Sequence, residues 1–156
     1  LLAQEKSQDP SKRGQLQALY ISTSQPKESV KKEVYDKLLK QRDKKSLRQL
    51  VTMAYGLFPY TQDQLKRGFQ KSYYQAMETL SKSQGDLFVG RFASALAPLF
   101  CETPSRERFA SFMKGQKEMP FSLSKIMQAR LFEDDRCQKI RKKLMGQKNN
   151  QPVKAL

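Results

Sequence analysis

Apolar residues recur along this chain at helical intervals, and one stretch shows it most clearly. From Leu57 to Leu80, LFPYTQDQLKRGFQKSYYQAMETL, residues Leu65, Phe69, Tyr73, Ala76 and Leu80 follow at steps of four, four, three and four. That spacing puts them on one helix face. Thr61 followed by Gln64 gives the pattern of a capping box, so a helix is predicted from about Gln62 to Leu80. Pro59 ends the helix before it, because proline disfavours helical backbone in the preceding residue. A second apolar strip at Tyr74 and Met77 predicts packing on two sides, which makes this the expected central helix of a stack.

The other segments follow the same rule. Asp9 and Pro10 predict an N-cap and first helical position, opening a helix to about Ile21 with Leu16, Leu19 and Tyr20 inward. Pro26 starts the next, where Val30, Val34 and Leu38, with Leu39 or Tyr35, form the apolar face and the lysines take the outside. Ser46 caps a helix carrying Leu47, Leu50, Val51, Ala54 and Leu57. Asp86 is placed to cap another bearing Leu87, Phe88, Phe92, Ala95, Leu96 and Leu99. Between Leu87 and Cys101 the only charge is Arg91, so most of that helix's circumference should be buried, and Pro98 should kink or end it. Thr103 and Pro104 open a helix with Phe109, Phe112 and Met113, closed by Gly115.

The last helix is expected from Ser122 to Met145, with Leu123, Ile126, Arg130, Glu133, Cys137, Ile140 and Leu144 on one stripe. Arg130 and Glu133 interrupt that stripe and are the candidate cavity-lining residues. The alternative is local pairing, Arg130 with Asp134 and Asp135 with Lys139, each worth about 0.2–0.5 kcal/mol. Gly68 marks either a surface position or a close helix approach. Leu1 to Ala3 read as the tail of a helix that begins outside the chain, and residues 146–156 as a mobile tail. The expectation is an all-α fold: residues 1–145 form one domain, an irregular α-solenoid-like stack of about seven or eight antiparallel helices.

Composition narrows the function more by exclusion. The 156 residues include no histidine, so a Ser-His-Asp triad, a Cys-His pair and a His-Glu-x-x-His zinc site cannot be built from this chain. The G-x-x-x-x-G-K-[ST] and G-x-G-x-x-G nucleotide loops are absent too. No catalytic or metal-ligating residue is assigned. The net charge is +15, with nine basic residues against four acids between Lys27 and Arg48 and no acid after Asp135. Solvated helix faces account for such charge. Nucleic acid is not the expected partner, since the aromatics fall at core spacings and are not interleaved with the basic runs. Cys101 and Cys137 lack metal-site spacing and are expected to be free buried thiols, with a disulfide between them as the alternative. Free thiols favour the cytoplasm, and no apolar run approaches the roughly 18 residues of a membrane span, so no membrane partner is expected.

Taken together, the segments from Pro26 to Met145 resemble the C-terminal helical domain of zinc aminopeptidases of the aminopeptidase N family. The residues that carry the resemblance are KKEVYDKLL, AYGLFPYTQDQL, FASALAPLFCETPSRERF and LSKIMQARLFEDDRCQKIR. A late tryptophan often found in the helix equivalent to the one ending at Leu80 is missing, and Gln138 stands where related closing helices tend to carry arginine. The resemblance implies a non-catalytic domain that encloses the substrate cavity and controls peptide access to a catalytic domain absent from this chain. The partners it implies are that domain and the parent's peptide substrates. The zinc, and the water it activates for attack on the first peptide bond, would belong to the parent enzyme. The alternative is a basic helical-repeat module that binds nucleic acid or an acidic protein partner.

Overall fold

The computed structural model describes residues 11–40, 42–82 and 87–148, with side chains as far as Met145. Among them are eight α-helices and no strand: α1 Lys12–Thr23, α2 Glu28–Lys40, α3 Leu47–Leu57, α4 Asp63–Gly68, α5 Gln70–Leu80, α6 Leu87–Leu96, α7 Thr103–Gly115 and α8 Phe121–Lys148. The helices pack on one another, giving the all-α stack of seven or eight helices that the periodicity predicts. Extensive contacts run from α1 to α3, α3 to α6, α6 to α8 and α8 to α7, with α2 against α3. Asp9, Pro10 and Asp86 lie outside the described residues, as do residues 1–3 and the chain after 148.

The centre of the stack is α6 and not the 62–80 segment. Phe88, Val89, Phe92, Ala93 and Leu96 are all buried, and Ala97, Pro98 and Phe100 continue that burial beyond the helix. Near-absence of charge explains this, because α6 has little surface that gains from water. Leu87, expected inside, is 74% exposed. The stacked rings of Tyr73 and Phe92, with centroids 6.1 Å apart, join α5 to α6, and the Tyr73 hydroxyl donates to the Ala93 carbonyl at 3.1 Å.

The 62–80 segment is two helices. A turn at Phe69, with φ −100° and ψ 3°, separates α4 from α5. That break lets the Phe69 ring sit between Tyr35 and Phe58, at centroid distances of 5.4 and 5.1 Å. Ring burial thus overrides helix continuity. The Thr61/Gln64 capping box does not form; α4 is entered through a 3-10 turn, Tyr60–Gln62, and Gln62 donates to the Ser24 carbonyl at 2.7 Å. A capping box does form at Ser46 with Gln49, opening α3. Ser11 caps α1 through the Gly14 amide. Inward positions of α1 are Ala18 and Thr23, while Leu16 and Leu19 are half-buried and Tyr20 is at the surface.

Close approach occurs at Gly56, not Gly68. A Cβ built on Gly56 would fall 2.2 Å from Thr23 Oγ1 and 3.1 Å from the Tyr20 carbonyl oxygen, whereas one on Gly68 would meet nothing within 4 Å. The two glycines therefore predict opposite signs. Gly68→Ala should stabilise the protein by about 0.5–1 kcal/mol through helix propensity and a stiffer unfolded chain. Gly56→Ala should destabilise it, because overpacking of about 1–3 kcal/mol outweighs the same gain. Urea midpoints of the two variants moving in the same direction would refute this account of the α1–α3 contact.

Lys31 corrects the expectation that all α2 lysines face outward. It is fully buried, its Nζ donating to the Thr23 carbonyl at 2.8 Å and lying 5.8 Å from the centre of the Phe58 ring. It satisfies an open carbonyl at the end of α1, where the helix dipole favours a cation.

Candidate functional site

Pro98 cannot extend α6, and residues 97–102 pass along α8 as an irregular strap. Its anchor is Cys101, the non-glycine residue with φ of 58°. Such a backbone state needs support. The Cys101 amide donates to Asp134 Oδ1 at 2.7 Å, and its sulfur is bonded to Cys137, with Cα atoms 5.4 Å apart. The expectation of free thiols is thereby corrected: packing of the strap on α8 brings together cysteines 36 positions apart, at a separation suited to a disulfide.

Further contacts hold the strap. Gln138 donates to Asp134 Oδ2 at 2.7 Å and accepts from the Thr103 hydroxyl at 3.1 Å. Phe100 donates its amide to Ser105 Oγ, and its ring lies under the Arg67 guanidinium at 4.2 Å. Arg67 also pairs with Glu102 at 2.7 Å. Arg106 binds Asp135 through both Nε and Nη2, and this hydrogen-bonded guanidinium holds the Asp135 carboxyl below its ordinary pKa.

Beside the strap lies a groove of about 1150 Å³, walled by Tyr60 and Asp63, by Leu99 to Cys101, and by α8 from Arg130 to Met145. Arg130 and Glu133 both stand on this wall. They pair with each other, Arg130 Nη1 donating to Glu133, and not in the expected Arg130–Asp134 arrangement, while Asp135 takes Arg106 in place of Lys139. Arg130 Nε is buried without a hydrogen-bond partner. From Arg130 onward the stripe expected to face the core lines the groove instead. Inside the stack, α8 buries Leu123, Met127 and Asp134, whereas Ile140 and Leu144 are 50% and 58% exposed. The helix also continues through Gly146 to Lys148, three residues beyond its expected end.

Lys66, Arg136 and Arg141 belong to this region without a signal in the sequence that marks them, and Asp134 is marked there only as a partner for Arg130. Asp134 and Cys137 are three apart, a spacing that puts them on one helix face, but nothing local says that this face meets Cys101. Lys66 lies 5.8 Å from the centre of the Phe100 ring. Burial, then the nearby Arg130 charge, pushes its pKa down to about 8 against the opposing pull of Asp63 and Asp134. Burial alone takes Lys31 to about 8 as well.

These lysines predict an alkaline rise in stability. Below pH 8 both are protonated whether folded or unfolded, so they contribute no slope. Between about pH 8 and the unfolded lysine pKa of about 10.4, the unfolded chain holds more protons, and raising pH favours the fold. Burial raises the Tyr35, Tyr73 and Tyr74 hydroxyls above their ordinary pKa, Tyr74 to about 12, so above about pH 10 the unfolded chain ionises first and stability falls. Urea titrations should show a maximum near pH 10, with a shallower rise in Lys31→Met. A flat or falling profile between pH 8 and 10 contradicts both lysine assignments.

Among the described residues no group of three or more His, Cys, Asp or Glu side chains could hold a metal ion, and no helix is long and apolar enough to cross a membrane. No protein-family model matches this chain, and the curated proteins yield no match to it.

Proposed function

We propose that the chain is the non-catalytic C-terminal helical domain of a zinc metallo-aminopeptidase of the aminopeptidase N type. In this reading it encloses the substrate cavity and limits which peptides reach a catalytic domain carried elsewhere in the polypeptide. One observation supports it above the rest. Three separate segments that carry the family resemblance, FPYTQDQL, LAPLFC and ARLFEDDRC, supply residues to a single groove, through Tyr60 and Asp63, through Leu99 to Cys101, and through Arg130 to Cys137.

The zinc and its ligands are assigned outside this chain, which has no histidine and whose two cysteines are joined. A lid of this kind would act by size and by polar contacts, positioning a peptide and restricting water. The cytoplasmic expectation stood on free thiols. With the thiols joined it loses that ground, because disulfides persist in oxidising compartments and are rare in a reducing cytosol.

The purified chain tests the reading directly. It should fold as a helical monomer, bind no stoichiometric zinc and leave aminoacyl anilides intact. Tight zinc binding at one ion per chain, or hydrolysis that survives repurification, would overturn it.

A further inference from the structure

The far half of α8 leaves the stack. From Lys139 to Met145 every side chain is exposed, and Ile140, Leu144 and Met145 show 50%, 58% and 63% of their surface to solvent while lining the groove. Arg136 stands on the same wall, and helical spacing puts Lys139 and Lys143 beside it along one rim. After Asp135 the chain contains no acid. Among the described residues, none of Arg136, Lys142 and Lys143 forms an ion pair. Of the acids that line the groove, Glu133 pairs with Arg130 and Asp134 accepts from the Cys101 amide and Gln138, while Asp63 stands at the start of α4. The far half of α8 thus sets exposed apolar side chains beside basic residues, with no acid beyond Asp135 to balance them.

We infer that this groove docks an amphipathic helix with acidic flanks, contributed by a protein partner, its apolar side on Ile140, Leu144 and Met145 and its carboxylates against the Arg136 rim. Apolar anchors in a groove with charges at the edge are how helices are taken up by such surfaces. A second copy of this chain would set basic rim against basic rim. Nucleic acid would satisfy the charges and leave the apolar floor wet. A flat bilayer would meet the exposed side chains of α8 but leave the facing wall of the groove, Leu99 to Cys101, uncovered. The inference concerns the same groove on which the aminopeptidase reading draws, but it does not rest on that reading: it follows from the exposed apolar and basic side chains of α8, and peptide binding tests it whatever the parent protein catalyses.

The test is fluorescence anisotropy of a labelled synthetic helix of Leu, Ala and Glu, its leucines on one face, titrated with the full chain. Saturable binding that weakens with salt is expected. Leu144→Asp and Arg136→Glu should each weaken it at least tenfold, as should replacing the peptide's Glu by Lys. Both protein positions are exposed, and an unchanged far-UV spectrum establishes that each variant is folded. No saturation, equal binding to Leu144→Asp, or tighter binding of a DNA duplex or of phosphatidylserine vesicles would overturn the inference.

Discussion

Phe92→Ala should cost about 3–5 kcal/mol of folding stability, the range for removing a buried aromatic ring and leaving a cavity. Phe92 has no exposed surface, and its ring contacts Tyr35, Tyr73 and Phe88 at centroid distances of 5.9, 6.1 and 5.7 Å. It lies on the helix that joins α3 to α8, so little around it can collapse into the space. Leu87→Ala on the same helix is the control. With 74% of its surface exposed, Leu87 should change stability by no more than about 0.5 kcal/mol. Equal urea midpoints for wild type and Phe92→Ala would remove α6 from the centre of the stack.

Breaking the Cys101–Cys137 bond should have the next largest effect. Closing a loop across a sequence separation of 36 restricts the unfolded chain by about 4 kcal/mol on the chain-entropy account, and measured losses run at about 2–5 kcal/mol. The Cys101→Ala/Cys137→Ala variant should lose stability in that range and speed hydrogen exchange at the strap amides, Cys101 above all. The left-handed backbone at Cys101 adds a further signature. Cys101→Gly/Cys137→Ala should be the more stable of the two variants by about 1 kcal/mol, because glycine adopts that conformation without a Cβ clash. A dithiol reductant that leaves wild-type stability unchanged would show that the bond constrains nothing.

Local pattern made the helices of this fold legible. In α3, α5 and α6 the apolar spacing names most of the buried side chains, because each helix turns one face to its neighbours and that face must repeat at 3.6 residues. What escaped is what depends on a distant partner. Lys31 has the surroundings of a surface lysine in sequence, and only the end of α1 lying over α2 makes it a buried cap. Phe69 fits an uninterrupted helix until Tyr35 and Phe58 offer its ring a better place. The expected α8 stripe has the right period but the wrong phase, since Leu123 is followed into the core by Met127 and not by Ile126. Arg130 and Glu133 stand out in the sequence as charges on an apolar stripe; they line the groove because the stripe turns away from the core beyond Met127. Cys101 meets Cys137 through the path of the strap, which Pro98 starts but does not determine.

If this chain is, as proposed, one domain of a larger peptidase, the native polypeptide must be several times its size. An antibody raised against the chain should detect, in an extract of the source cells, a band several times larger than 18.1 kDa that co-purifies with zinc-dependent aminopeptidase activity. A single band at 18.1 kDa, free of that activity, would contradict the claim.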